Sequence, residues 1–233
     1  MSEQHIASVF DRDLEAIQAH IMKMGGLVEA AIMSSARSLE TRDEELAQQV
    51  RQGDKAIDAL EDLINEETAR LIALRAPAAS DLRLVLSVLK VSANLERIGD
   101  YSKNIAKRTT VLVNASEING SAAALRRMAR EVERMLRDAL DAYIQRDAEL
   151  ATDVIARDEE VDQMYNGLFR EFLTFMAEDP RNISSCMHLH FIAKNIERMG
   201  DHVTAIAEQV VYLVTGERPT EARPKADITS QSA

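Results

Sequence analysis

The strongest constraint on the fold is an eight-residue pattern that occurs twice. Residues 94–101 (NLERIGDY) recur as residues 195–202 (NIERMGDH), and an Ile-Ala pair follows each copy at the same distance. The glutamates of the two copies are 101 positions apart (197 − 96 = 101). A chain of 233 residues with such a repeat is expected to fold as two similar halves, each of about a hundred residues.

Helix-forming residues dominate both halves. The chain has only 8 glycines and 4 prolines, and its apolar residues recur every three or four positions, which is typical of amphipathic helices. Pro77 and Pro180 end a helix at corresponding places, 103 positions apart (180 − 77 = 103). We therefore predict an all-α fold of two tandem three-helix bundles related by internal duplication. The predicted helices span about 6–39, 43–74, 82–113, 122–145, 148–177 and 183–214.

Polar segments set the predicted domain boundaries. We expect a first three-helix bundle over residues 1–116, a second over 117–216, and a disordered tail over 217–233. A capping box formed by Thr41 and Glu44 is expected to start the second helix. Gly25 and Gly26 interrupt the first helix, which indicates a close helix contact or a kink; the alternative is a locally weak helix without a role.

Charge and cysteine content limit the functional classes. The net charge of −11 argues against a general nucleic-acid-binding protein, which needs a basic surface. The single cysteine, Cys186, cannot form an internal disulfide, which is compatible with a reducing compartment. The sequence has neither the apolar run of a transmembrane helix nor the basic and apolar regions of a signal peptide. We expect a cytoplasmic protein without a membrane span.

Two acidic residues of the repeated pattern, Glu96 and Asp100, continue an apolar stripe of the third helix. The other members of that stripe are predicted to lie in the core: Leu82, Leu86, Leu89 and Ala93. A second apolar face of the same helix predicts a central position or an interface: Val88, Val91, Leu95 and Ile98. Glu197 and Asp201 repeat the arrangement in the sixth helix. Burying like charges one turn apart is unfavourable unless they are paired or bind a metal ion.

A second set of acidic pairs lies near the start of the second and fifth helices, at an offset of 104 (158 − 54 = 104). In an antiparallel hairpin these pairs lie beside the late part of the following helix, so acids from both helices are expected to converge in each half. Oxygen-only clusters suit Mg²⁺ or Mn²⁺, or iron and zinc where carboxylates bridge. The candidate metal ligands are Asp54, Asp58, Glu96, Asp100, Asp158, Asp162, Glu197 and Asp201.

Other roles for these acids remain open. Arg97, Arg198 and Lys103 could neutralise them in a purely structural network. A metal-dependent hydrolase could use the same carboxylates to activate water, and a metal-free helical scaffold would need neither. The sequence contains no readable Ser/His/Asp or Cys/His arrangement and no Gly-rich phosphate loop, so we predict no catalytic residues and no enzymatic activity.

The same residues carry a resemblance to the PhoU family over about 22–105 and 147–207. The segments that resemble the family are 22–29 (MKMGGLVE), 53–55 (GDK), 79–85 (ASDLRLV), 95–100 (LERIGD) and 196–201 (IERMGD). The resemblance implies two tandem three-helix bundles that are usually dimeric. It also implies a cytoplasmic negative regulator of phosphate uptake and phosphate-starvation signalling. Such an adaptor lies between the ATPase subunit of the phosphate ABC transporter and a sensor histidine kinase, and reaches the membrane only peripherally through these partners.

The Glu/Asp-x-x-x-Asp motifs of some family members bind multinuclear metal clusters. Carried over to this chain, the resemblance implies metal binding by the same eight acids. The match is close in the third and sixth helices and looser in the second and fifth. Tyr165 stands where Glu61 stands in the first half, so the resemblance does not imply equal metal occupancy of the two halves.

Overall fold

The computed structural model describes residues 2–77 and 79–217, and this part of the chain is helical without strands. It confirms the predicted all-α fold of two tandem three-helix bundles. The helices are α1 (Ser2–Thr41), α2 (Glu44–Arg75), α3 (Ala79–Leu112), α4 (Ser121–Gln145), α5 (Ala148–Glu178) and α6 (Ile183–Thr215), with a 3₁₀ turn at Pro180–Asn182 before α6. All but the first residue of the predicted tail, 217–233, lies outside the described residues.

An Arg-Asp pair makes the first turn in both bundles. Arg42 and Arg146 adopt left-handed backbone conformations, with φ of 53° and 54°, and end α1 and α4. The next residue caps the following helix: Asp43 accepts a hydrogen bond from the Leu46 amide, and Asp147 accepts two from α5 amides. The predicted capping box at Thr41 is therefore wrong, because α1 continues through Thr41 and the chain turns only at Arg42.

The two bundles share one large apolar core. Within each bundle the three helices pack against one another, and α1–α4 and α3–α6 contacts join the bundles. The largest buried apolar cluster draws residues from all six helices, from Leu14 in α1 to Val210 in α6. Each large apolar side chain buried in this way contributes about 1.5–3 kcal/mol. Across the described helices, none has the length and hydropathy that a bilayer-spanning segment needs.

The α3 helix is central, as its second apolar face predicts. It packs against α1, α2 and α6, and the side chains of that face are fully buried: Val88, Val91, Leu95 and Ile98. The prediction that the Glu96 stripe is a core line is wrong. Leu86 is 45% exposed, Ala93 is exposed, and Leu82 and Leu89 are only partly buried. The neighbouring helices cover the other sides of α3, so this stripe leads towards the surface and the acids lie at its margin.

The paired glycines of α1 have different surroundings. A methyl group on Gly25 would overlap the Leu140 side chain of α4, whereas one on Gly26 would meet nothing within 4 Å. Gly25 therefore allows a close contact between the bundles, and Gly26 has no such packing role.

This difference gives a matched pair of stability predictions. Gly26→Ala should raise the free energy of unfolding by about 1 kcal/mol, because alanine is the better helix former. Gly25→Ala has the same helix gain but overpacks buried Leu140, at a cost of about 1–3 kcal/mol, so it should be less stable than Gly26→Ala and no more stable than wild type. Urea denaturation measures both values, and equal stabilisation by the two substitutions would contradict the assignment.

Candidate cation-binding site

The glycine of the repeated pattern brings the acidic helices together. A methyl group on Gly99 of α3 would lie 3.0 Å from the Ile57 side chain and 3.7 Å from Asp54 Oδ1 in α2. A methyl group on Gly200 of α6 would lie 3.0 Å from Asp158 Oδ1 in α5. The missing side chain thus lets the backbone of α3 or α6 approach the first aspartate of the preceding helix, and the next residue of the pattern adds its own carboxylate there.

In the first bundle, Lys103 joins the acids of two helices. Its Nζ donates to Asp54 Oδ2 of α2 at 2.5 Å and to Asp100 Oδ1 of α3 at 3.0 Å. Asp54 is only 4% exposed, whereas the Asp100 side chain is 32% exposed. These two hydrogen bonds raise the pKa of Lys103 and keep its ammonium group charged. The predicted convergence of the α2 and α3 acids therefore occurs, with a lysine between them.

The remaining acids of this cluster repel one another. Burial, followed by the charge of Asp100, raises the pKa of Glu96 to about 7. Partial desolvation also raises the pKa of Glu61 and of Asp58, with added repulsion from neighbouring carboxylates that include Asp100. The exposed Arg97 lies 3.6 Å from Glu96 and offsets this repulsion in part. The cluster thus holds more negative charge than its lysine and arginine neutralise.

In the second bundle the acids are more deeply buried. Asp158, Asp162 and Glu197 are each only 6% exposed. Lys194 Nζ donates to Glu197 Oε1 at 2.8 Å and lies 5.0 Å from the centre of the Tyr165 ring in α5. Burial raises the pKa of Glu197; the bond from Lys194 opposes that rise, while the charges of Asp201 and Asp162 add to it. The α5 and α6 acids therefore converge as predicted.

Each cluster contains a buried carboxylate oxygen that receives no hydrogen bond from the described residues, Asp54 Oδ1 in the first and Glu197 Oε2 in the second. A buried polar atom without a partner costs about 1–3 kcal/mol, and a charged one costs more. Such oxygens, in an all-carboxylate donor set, fit a hard cation. Across residues 2–77 and 79–217, however, no three His, Cys, Asp or Glu side chains already stand in an arrangement that could hold a metal ion.

The structure separates the eight candidate ligands by exposure. Four are buried (Asp54, Asp158, Asp162 and Glu197), three are partly buried (Glu96, Asp100 and Asp201), and Asp58 is exposed. Sequence reasoning missed Lys194 as the partner of Glu197, although its i,i−3 spacing was a usable signal. It also missed the link between bundles made by Asn94 Oδ1 and His202 Nδ1, 2.8 Å apart, because residues 108 positions apart give no local signal.

These features define a class of protein: a duplicated six-helix bundle with one acidic cluster between the last two helices of each half. The sequence model of the PhoU domain matches residues 21–109 and again 125–210. This chain therefore belongs to the PhoU family.

Full-length relatives agree with this assignment. The chain is 44% identical over 228 residues to the phosphate-specific transport system accessory protein PhoU homolog of Caulobacter vibrioides, covering 98% of this chain and 99% of that protein. It is 46% identical over 230 residues to the protein of the same name from Zymomonas mobilis, covering 98% and 97%.

Two solved structures share the architecture. The crystal structure of PhoU from Pseudomonas aeruginosa superposes with a TM-score of 0.86 at 41% identity, covering 89% of this chain and 100% of that one. The phosphate transport system regulatory protein PhoU from Streptococcus pneumoniae superposes with a TM-score of 0.83 at 30% identity, covering 91% and 100%.

The raised pKa of Glu96 predicts a pH dependence of stability in chelator-treated protein. Folded Glu96 binds a proton more tightly than the unfolded chain does, so its contribution to the free energy of unfolding is greatest below pH 4.5 and falls as the pH rises to about 7. In Glu96→Gln this decline should become shallower. Thermal denaturation across that pH range measures it, and Glu66→Gln, at an exposed site of α2, is the control. A decline in Glu96→Gln as steep as in wild type would contradict the prediction.

Proposed function

We propose that this protein is a non-enzymatic regulator that limits phosphate uptake and phosphate-starvation signalling. In this role it acts as an adaptor between the ATPase subunit of a phosphate ABC transporter and a sensor histidine kinase. The observation that carries the proposal is full-length similarity: relatives named as accessory proteins of the phosphate-specific transport system align over 98% of this chain. Similarity over both bundles favours a shared role of the whole protein rather than a shared domain alone.

The acidic clusters give the adaptor a means of control. When bound, a metal ion such as Mg²⁺, Mn²⁺, iron or zinc supplies positive charge that offsets the buried carboxylates. In the first bundle Asp54, Asp58, Glu96 and Asp100 would hold it. In the second, Asp158, Asp162, Glu197 and Asp201 would do so. The unpartnered buried oxygens and the surplus negative charge support this proposal.

The chain's own residues connect such a site to the helices. Asp54 belongs to α2 and Asp100 to α3, so a cation shared by them holds these helices together. The same holds for Asp158 of α5 and Glu197 of α6. Compensation of these charges would stabilise the packing of α2 on α3 and of α5 on α6, and thereby the outer surfaces that these helices present to partners.

We place the adaptor in the cytoplasm, where the ATPase subunit and the kinase domain are accessible, and as a homodimer. Exposed apolar side chains on one face of α6 support a protein contact: Ile183, Met187 and Phe191 follow one another at four-residue spacing and are 47%, 39% and 44% exposed. A contiguous apolar line on a surface helix is typical of an interaction face.

The metal proposal predicts stabilisation by added cations. At about a hundredfold excess over its dissociation constant, Mn²⁺ should raise the free energy of unfolding of chelator-treated protein by about 2.7 kcal/mol per occupied site. Glu96→Ala combined with Asp100→Ala should remove the stabilisation by Mn²⁺ at the site of the first bundle. Glu197→Gln combined with Asp201→Asn should remove the stabilisation at the site of the second.

The matched control replaces an exposed acidic pair of α1 with the same spacing, Asp11→Asn with Glu15→Gln, and should leave the response unchanged. Elemental analysis of protein purified without chelators checks occupancy. If wild-type protein contains no metal and Mg²⁺, Mn²⁺ and iron all leave its stability unchanged, the metal proposal is wrong.

The adaptor proposal predicts that the immobilised protein captures both the transporter ATPase subunit and the sensor kinase from purified components. Replacing the acids of both clusters should weaken capture, because the helices that carry the binding faces would no longer be held together. Two other outcomes would identify the rival functions. Hydrolysis of phosphate esters that is lost in Asp100→Ala would favour a metal-dependent enzyme, and failure to capture either partner, with no response to metal, would favour a structural scaffold.

A further inference from the structure

The two acidic clusters are repeats of one another, but their lysines are not. Lys103 follows Asp100 by three residues, and the corresponding position in the second bundle, 101 residues later, is Thr204. Lys194 precedes Glu197 by three residues, and the corresponding position in the first bundle is Ala93. Each bundle therefore supplies a lysine to its acidic cluster, from the C-terminal side of the motif in α3 and from the N-terminal side in α6.

Both lysines connect the same pair of helices within their bundle. Lys103 of α3 reaches Asp54 of α2 as well as Asp100 of its own helix. Lys194 of α6 bonds Glu197 of its own helix and lies over the Tyr165 ring of α5. Tyr165 corresponds to Glu61 of α2 (165 − 104 = 61). The second bundle thus pairs a lysine with an aromatic ring where the first has an alanine and a glutamate.

Neither lysine satisfies the whole cluster. Lys103 bonds Oδ2 of Asp54, and the other oxygen of that buried carboxylate has no partner among the described residues. Lys194 bonds Oε1 of Glu197, and Oε2 of that buried carboxylate likewise has no hydrogen-bond partner among the described residues. An ammonium group on a flexible side chain can withdraw, and Lys103 and Lys194 remain 40% and 31% exposed, so a path to solvent exists for both.

We propose that Lys103 and Lys194 are built-in counter-cations that hold the helix pairs together in the metal-free protein and compete with a bound metal ion for Asp54 and Glu197. The proposal rests on the metal binding proposed above. A metal ion and an ammonium group repel each other. A metal ion that binds these carboxylates must therefore displace the ammonium group or bind less tightly beside it. The affinity of each cluster for metal is then set in part by how readily its lysine leaves.

The two clusters should consequently differ in affinity. Lys103 bonds the carboxylates of Asp54 and Asp100, whereas Lys194 bonds Glu197 and also contacts the face of the Tyr165 ring. Because the two lysines are held by different partners, we expect the two sites to bind metal with different affinities.

The chain itself supplies the test substitutions. The second bundle has Thr204 at the position of Lys103, and the first has Ala93 at the position of Lys194. Lys103→Thr and Lys194→Ala should each lower the thermal midpoint in the presence of a chelator, since a buried carboxylate loses its cation. In Mn²⁺ titrations followed by calorimetry, each should increase the affinity of one site about tenfold, equivalent to about 1.4 kcal/mol. Lys107→Thr, at an exposed position one turn beyond Lys103, is the control and should change neither quantity.

The outcomes separate this inference from the proposed function. Binding of Mn²⁺ by wild-type protein, with affinity unchanged or weakened in Lys103→Thr and Lys194→Ala, would overturn the competition while leaving metal binding intact. Absence of Mn²⁺, Mg²⁺, iron and zinc binding by wild type and both variants, in the same titrations, would overturn both proposals. An unchanged thermal midpoint in chelator, for both variants, would refute the role of these lysines as counter-cations whatever the titrations give.

Discussion

The structure depends on compensating negative charge where two helices meet. Asp54 and Asp158 lie buried against the backbone of the following helix, beside Gly99 of α3 and Gly200 of α6. An uncompensated buried carboxylate costs several kcal/mol, a large share of the 5–15 kcal/mol by which an ordinary domain is stable. Because that cost is large, the cations available to these groups influence how firmly α2 is held on α3 and α5 on α6.

Because the architecture is duplicated, buried negative charge must be compensated at two sites beside one shared core. The bundles share an apolar cluster that runs through all six helices, and the Asn94–His202 contact joins α3 to α6 between the two acidic clusters. The α3 helix therefore packs both against α2, which carries acids of the first cluster, and against α6 of the second bundle. Since the two clusters have lysines at different registers, the halves of the molecule have equivalent folds and non-equivalent electrostatics.

Under the proposed function, those differences would bear on regulation. A set of carboxylates with a displaceable cation would respond to the ionic composition around it through the packing of the helices that carry the carboxylates. The apolar side chains that remain exposed on α6, such as Met187 and Phe191, belong to a helix whose own carboxylates take part in that packing. Glu197 and the exposed apolar side chains of α6 thus belong to the same helix.

Local patterns in the sequence determined the six helices, their order, the duplication and the pairing of the acidic motifs, because helical periodicity, proline stops and repeated residues are encoded within a few turns. Only the tertiary structure decided which face of α3 is buried. Both its apolar faces look alike in sequence, and the choice depends on α1, α2 and α6, which cover Val88 and Leu95 and leave Leu86 exposed. It likewise decided which cation meets each carboxylate, since the bond from Lys103 to Asp54 joins residues 49 positions apart.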